Sequence, residues 1–130
     1  AQVCGLTRKP VFMPMICDFP QGMVVAVPLY LDMLGGSQSL DSLRTLYREF
    51  YAGARFVTVR PDDAPACGFI GSNNLAGTNE LQIFVCGNDE QVMLAARLDN
   101  LGKGASGAAV QNMNIMLGFP EETGLDVQSR

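Results

Sequence analysis

The sequence predicts an α+β fold, a mostly antiparallel sheet with helices on one face, in a single domain spanning residues 1–130. Three observations predict it. Short apolar runs, punctuated by Gly and Pro, recur along the chain as strands do. Two stretches, about 39–52 and 105–117, change to helical spacing. And no strand–helix–strand alternation is long enough to build a doubly wound parallel sheet.

The elements follow in order. Pro10 to Met15 and Met23 to Leu31 are apolar runs rich in Val, Phe and Met, and read as two strands joined by the turn-rich CDFPQG. After Gly35-Gly36, Leu40, Leu43, Leu46, Tyr47, Phe50 and Tyr51 recur at helical spacing, with Asp41, Arg44, Arg48 and Glu49 on the opposite face. Ser37 or Ser39 can cap this helix and Gly53 can end it. Phe56 to Val59 is a short strand closed by Pro61, and Asp62 to Gly68 is a loop. Phe69-Ile70, Glu80 to Cys86 and Gln91 to Leu98 read as strands, the last two joined by the hairpin signal Gly87-Asn88-Asp89-Glu90. From Ala105 to Leu117, the residues Val110, Met113, Met116 and Leu117 share a helical face, and Gly118 and Pro120 stop the helix.

Composition narrows the function classes. With 48% hydrophobic and 17% charged residues the chain is not a disordered one and can bury a core. No apolar run reaches the roughly 18 residues of a membrane helix. A net charge of −4 argues against a nucleic-acid surface. There is no histidine, which excludes a His-based triad, a Cys–His dyad and a histidine metal site within these residues. Cys4, Cys17, Cys67 and Cys86 form no close pair, so a zinc site is not indicated and metal ligands are not expected. They read as thiols of a reducing, cytoplasmic compartment.

The densest chemistry lies in Leu98 to Asn114, LDNLGKGASGAAVQNMN. Gly102, Gly104 and Gly107 interrupt a helix entrance beside Lys103 and Ser106, where unpaired backbone N–H groups could seat a phosphate or carboxylate. Equally, small residues there would let another element approach. No nucleotide-binding fingerprint is satisfied. Gln111 and Asn114 share one face of the helix and need partners if buried. Gly71-Ser72-Asn73-Asn74 opens a polar Gly-rich loop that reads as turn chemistry, with a substrate-facing role as the alternative.

LDNLGKGASGAAVQNMN followed by MLGFPEETGL resembles the N-acetyl-γ-glutamyl-phosphate reductase family, in particular its shorter branch. VFMPMICDFPQGMVVAVPLY, LRTLYREFYAGARFVTV and LAGTNELQIFVCGNDEQ carry the likeness along residues 9 to 124. The resemblance implies a glyceraldehyde-phosphate-dehydrogenase-like C-terminal domain, with a missing N-terminal Rossmann domain that binds NADP. It implies a small-molecule acyl-phosphate substrate, a homo-oligomer, and a thioester-forming cysteine and base histidine on the missing part. None of the four cysteines matches that nucleophile's motif. Asn100 is implied near the nicotinamide carboxamide with Lys103 and Gly104 lining the pocket, and Gly71, Ser72 and Asn73 are implied to face the substrate. The commoner branch has FTPH and Arg-Gly where this chain has Phe12-Met13-Pro14-Met15 and Gln21-Gly22. The fragment alone is expected to be inactive. The alternatives are a stand-alone ligand-binding or oligomerisation module, and the same enzyme acting on a related aminoadipyl phosphate.

Overall fold

Strand β1 (Met23–Tyr30) runs into a 3-10 turn (Leu31–Leu34), then helix α1 (Leu40–Phe50), β2 (Val57–Val59), β3 (Leu81–Gly87) and β4 (Gln91–Leu98). A π-helical turn (Gly102–Ser106) leads into α2 (Gly107–Leu117). The computed structural model describes residues 3, 5, 7–61 and 68–126. Cys4, Cys67 and most of the loop read at Asp62 to Gly68 lie outside the described residues.

The four strands form one sheet in the order β1-β4-β3-β2. β4 pairs antiparallel with both β1 and β3, and β2 lies parallel to β3. The β3–β4 hairpin forms where Gly87-Asn88-Asp89-Glu90 signals it. Asn88 Oδ1 accepts the N–H groups of Glu90 and Gln91, each at 2.9 Å, and the Asn88 N–H donates to the Gln91 carbonyl at 2.9 Å.

The hairpin register sets the two faces. Ile83 and Val85 oppose Ala96 and Leu94 on one face, while Gln82 and Phe84 oppose Arg97 and Ala95 on the other. Helix α1 covers the first face, and Leu31, Leu40, Leu43, Ile83, Val85 and Val92 make the core there. Each such side chain contributes about 1.5–3 kcal/mol by leaving water. Ser39 rather than Ser37 is the cap. Its Oγ accepts the Ser42 N–H at 3.1 Å, and Ser42 Oγ accepts the Ser39 N–H at 2.9 Å. Asp89 of the hairpin takes the Leu40 N–H at 2.9 Å, so the turn and the helix end are fastened together. The apolar stripe of α1 is wider than the sheet beneath it, leaving Leu46 and Phe50 57% and 76% exposed.

Two expected strands are absent. Pro10 to Met15 makes no ladder: Pro10 and Pro14 lack N–H groups, and Val11 and Phe12 are 92% and 85% exposed. Phe69-Ile70 also stays irregular and joins no strand of the sheet. Helix α2 differs in orientation rather than in extent. Met113, Met116 and Leu117 face outward, and Asn114, buried like Gly107, donates through Nδ2 to the carbonyls of Glu121 (3.1 Å) and Thr123 (2.9 Å). The chain turns back after Gly118, whose left-handed φ of 74° ends the helix, and the 121–123 segment supplies what the amide needs.

Candidate functional site

The end of β4 is where the segments singled out in the sequence meet. Strand alternation puts Arg97 on the face opposite Leu98, and Asp99 follows just past the end of the strand. Asn100 follows directly, and its Oδ1 accepts the Gly22 N–H at 2.7 Å. Gly22 sits against the 71–74 loop: a Cβ there would lie 2.5 Å from the Ser72 carbonyl oxygen and 2.7 Å from Asn73 Cα, at a φ of +116°. Only glycine allows that approach. Asn100 and Ser72, expected in separate roles, therefore line one recess of about 360 Å3, together with Met15, Cys17 and Gln21. Of the three positions at which this chain departs from the motifs of the commoner branch of the resembled family, Met15 and Gln21 fall in that same recess and Met13 does not.

The neighbouring groups are engaged differently. Lys103 folds along the turn, its ammonium donating to Gln111 Oε1 and lying 5.3 Å from the centre of the Phe56 ring. Burial lowers the Lys103 pKa and the nearby Glu121 opposes that shift. Gln111 in turn donates to Glu121 Oε2 at 2.8 Å. Gly104 is exposed on the turn, and a Cβ there would meet the Asp99 carbonyl oxygen at 3.2 Å and Leu98 Cδ1 at 3.3 Å. Gly71 is half-buried, and its carbonyl accepts a bond from Arg97 Nη1 at 3.1 Å. Asn73 is exposed at the rim.

The helix entrance holds an anion of the chain's own. Asp99, 1% exposed, accepts the N–H groups of Leu101 (2.7 Å) and Gly102 (2.8 Å) through Oδ1 and that of Gly77 through Oδ2. Burial pushes this carboxyl up, but the donors at Gly102, Gly77 and Leu101 outweigh it and hold the pKa below the ordinary value, so Asp99 is ionised. The Gly104 N–H bonds the Asp99 carbonyl at 2.8 Å. Sequence reasoning passed over Asp99, Arg97 and Gly22. Asp99 carried the only local signal, an acidic residue placed as a cap just ahead of a helical entrance.

Two cysteines lie among the described residues. Cys86 is half-buried on β3, and burial raises its pKa against the opposing charge of Arg44, which makes it a weak nucleophile. Cys17 is exposed at the recess. No helix is long and apolar enough to cross a membrane among the described residues.

A mixed four-stranded sheet with one helix on its core face, and a recess made of chain turns beside β4, define an α+β domain. The model of the semialdehyde dehydrogenase dimerisation domain family matches residues 1–100, and the chain belongs to that family. It is 48% identical to N-acetyl-gamma-glutamyl-phosphate reductase 2 of Nostoc sp. (strain PCC 7120 / SAG 25.82 / UTEX 2576), over 95% of this chain and 40% of that protein. It is 46% identical to the N-acetyl-gamma-glutamyl-phosphate reductase of Trichormus variabilis over the same shares. With the reductase of that name from Brucella ovis it shares 49% over 87% of this chain and 37% of that protein. The chain thus spans about 40% of the length of the curated relatives it matches.

Proposed function

We propose that this chain is the substrate-side and subunit-contact part of an NADP-dependent, cytoplasmic reductase that converts N-acetyl-γ-glutamyl phosphate to N-acetylglutamate semialdehyde and phosphate in arginine biosynthesis. The Rossmann domain, the nucleophilic cysteine and the base histidine belong, in this reading, to a part of the protein outside these 130 residues. What carries the proposal is the meeting of Asn100 with Ser72 in one recess, in a chain whose relatives are named as such reductases.

Asn100 suits a nicotinamide carboxamide. Its Oδ1 is committed to Gly22 and its Nδ2 group is uncommitted among the described residues, an amide donor beside a half-open recess. When bound, NADPH supplies the hydride. In this reading Lys103 and Gly104 line the cofactor pocket on the turn that follows Asn100, outside the recess that Asn100 shares with Ser72. Gly71, Ser72 and Asn73 present backbone and hydroxyl groups to the acyl phosphate, with Arg97 behind them. The exposed apolar flank of β1, with Val25 and Val27 each 46% exposed, is the surface for a second subunit.

The test is the full-length polypeptide, assayed for NADPH oxidation with N-acetyl-γ-glutamyl phosphate. Turnover by the full chain, none by the 130-residue piece, and a raised KM for NADPH in Asn100→Ala are expected. Turnover only with a homologous acyl phosphate such as an aminoadipyl phosphate moves the substrate assignment. No turnover with any acyl phosphate sinks the reading.

A further inference from the structure

We propose that Arg97 and Asp99 are a pair of positioning residues, gripping the two ends of the 71–77 loop so that Ser72 is held opposite Asn100. The inference deepens the reductase reading and rests on it for the loop's role.

Arg97 near the end of β4 and Asp99 just beyond it are 8% and 1% exposed. Arg97 Nη1 donates to the carbonyl of Gly71, where the loop begins, while Nη2 bonds Gln82 Oε1 on the neighbouring strand. The guanidinium lies 5.2 Å from the centre of the Phe84 ring, so it is packed as well as bonded. Asp99 Oδ2 accepts the N–H of Gly77, where the loop ends, while Oδ1 accepts Leu101 and Gly102 from the helix entrance. One carboxylate thus joins two segments that are distant in sequence. Their approach is close: a Cβ on Gly102 would lie 2.9 Å from the Thr78 carbonyl oxygen. With Gly22 pressed on Ser72 and bonded to Asn100, the loop is fixed at its start, its middle and its end.

The chemistry is not what a turn needs for its own sake. Burying a guanidinium and a carboxylate costs several kcal/mol in desolvation, and neutral turn residues close loops of this size without it. Charged groups give shorter, stiffer bonds, and small displacements of a substrate-contacting loop are expensive in rate.

Asp99→Asn and Arg97→Lys in the full-length protein test the pair. In Asp99→Asn one acceptor oxygen becomes an NH2 group, which cannot take the N–H of Gly77 while the other oxygen serves Leu101 and Gly102. Arg97→Lys keeps the charge and loses the fork that reaches Gly71 and Gln82 together. We expect the KM for the acyl phosphate to rise roughly 10- to 100-fold in each, with the KM for NADPH unchanged in Arg97→Lys. Amide hydrogen exchange should accelerate in residues 71–78 and stay unchanged in α1. A lower melting temperature with unchanged kinetics makes the pair merely structural and overturns the proposal, as does faster exchange spread through α1. If the wild-type full-length protein reduces no acyl phosphate, the reductase reading fails by itself. Exchange then decides the grip alone: acceleration confined to 71–78 upholds it, and none overturns it.

Discussion

Asn100 and Gly22 stand 78 positions apart in the chain, and a 2.7 Å hydrogen bond from the Gly22 N–H to Asn100 Oδ1 brings the turn before β1 to the end of β4. Three chain segments converge there because position 22 has no side chain.

Gly22→Ala should therefore be costly in two separable ways. The positive φ of +116° is strained for any L side chain, and the new methyl would meet the backbone of Ser72 and Asn73. Gly53→Ala is the control, since Gly53 also has a positive φ of +80° but nothing within 4 Å. Urea melts should give about 1–2 kcal/mol for Gly53→Ala and about 3 kcal/mol or more for Gly22→Ala. Equal losses would mean that the 71–74 loop yields freely, and the convergence at Asn100 would lose its rigidity.

The start of α1 is held by two acceptors from different parts of the chain. Ser39 Oγ takes the Ser42 N–H and Asp89 takes the Leu40 N–H. Ser39→Ala and Asp89→Ala should each cost about 1 kcal/mol. Because they serve different N–H groups, the double variant should sum the two to within about 0.5 kcal/mol in the same melts. A double variant no worse than either single one would show that one acceptor substitutes for the other.

Asn114 is the buried side chain of a helix whose methionines face outward. Its Nδ2 satisfies the carbonyls of Glu121 and Thr123. Asn114→Leu, which suits helical propensity better, should still destabilise by about 2 kcal/mol, because two carbonyls lose their donor. Met116→Gln, at a position 85% exposed, should change stability of the chain by less than about 0.5 kcal/mol. A stabilising Asn114→Leu would mean that water reaches those carbonyls.

The contrast between these two helices marks what a sequence can report. Ser39, the 3.6-residue spacing of Leu40, Leu43 and Tyr47, and the Asn88 turn are local signals, and each element formed where they stand. Helix α2 was legible in extent, because Gly118 stops it, yet not in orientation. Its hydropathy favours burying Met113 and Met116, and the outcome was set by a segment, residues 121–123, that folds back only after the helix has ended. Pro10 to Met15 has strand composition without a strand partner, and composition is blind to the ladder bonds that Pro10 and Pro14 cannot donate. At the recess, Asn100 and Ser72 were each visible as polar groups in Gly-rich segments. Their meeting through Gly22 was not, since no period or motif links residues so far apart.

Asp99 offers the clearest pH signature. Its carboxyl is held below the ordinary value near 3.8 because three N–H donors outweigh burial. The folded state therefore binds the proton less readily than the unfolded chain does. The stability it contributes is complete above the unfolded pKa and is lost as pH falls through the folded one. Asp99→Asn cannot gain or lose that contribution, and every other carboxylate titrates in both proteins. The difference in unfolding free energy between wild type and Asp99→Asn should be constant above about pH 5 and shrink steadily from there to about pH 2. Urea melts across that range read it directly. A difference that stays level on acidification would mean that Asp99 binds its proton equally well folded and unfolded, and that the N–H groups of Gly77, Leu101 and Gly102 do not favour its carboxylate.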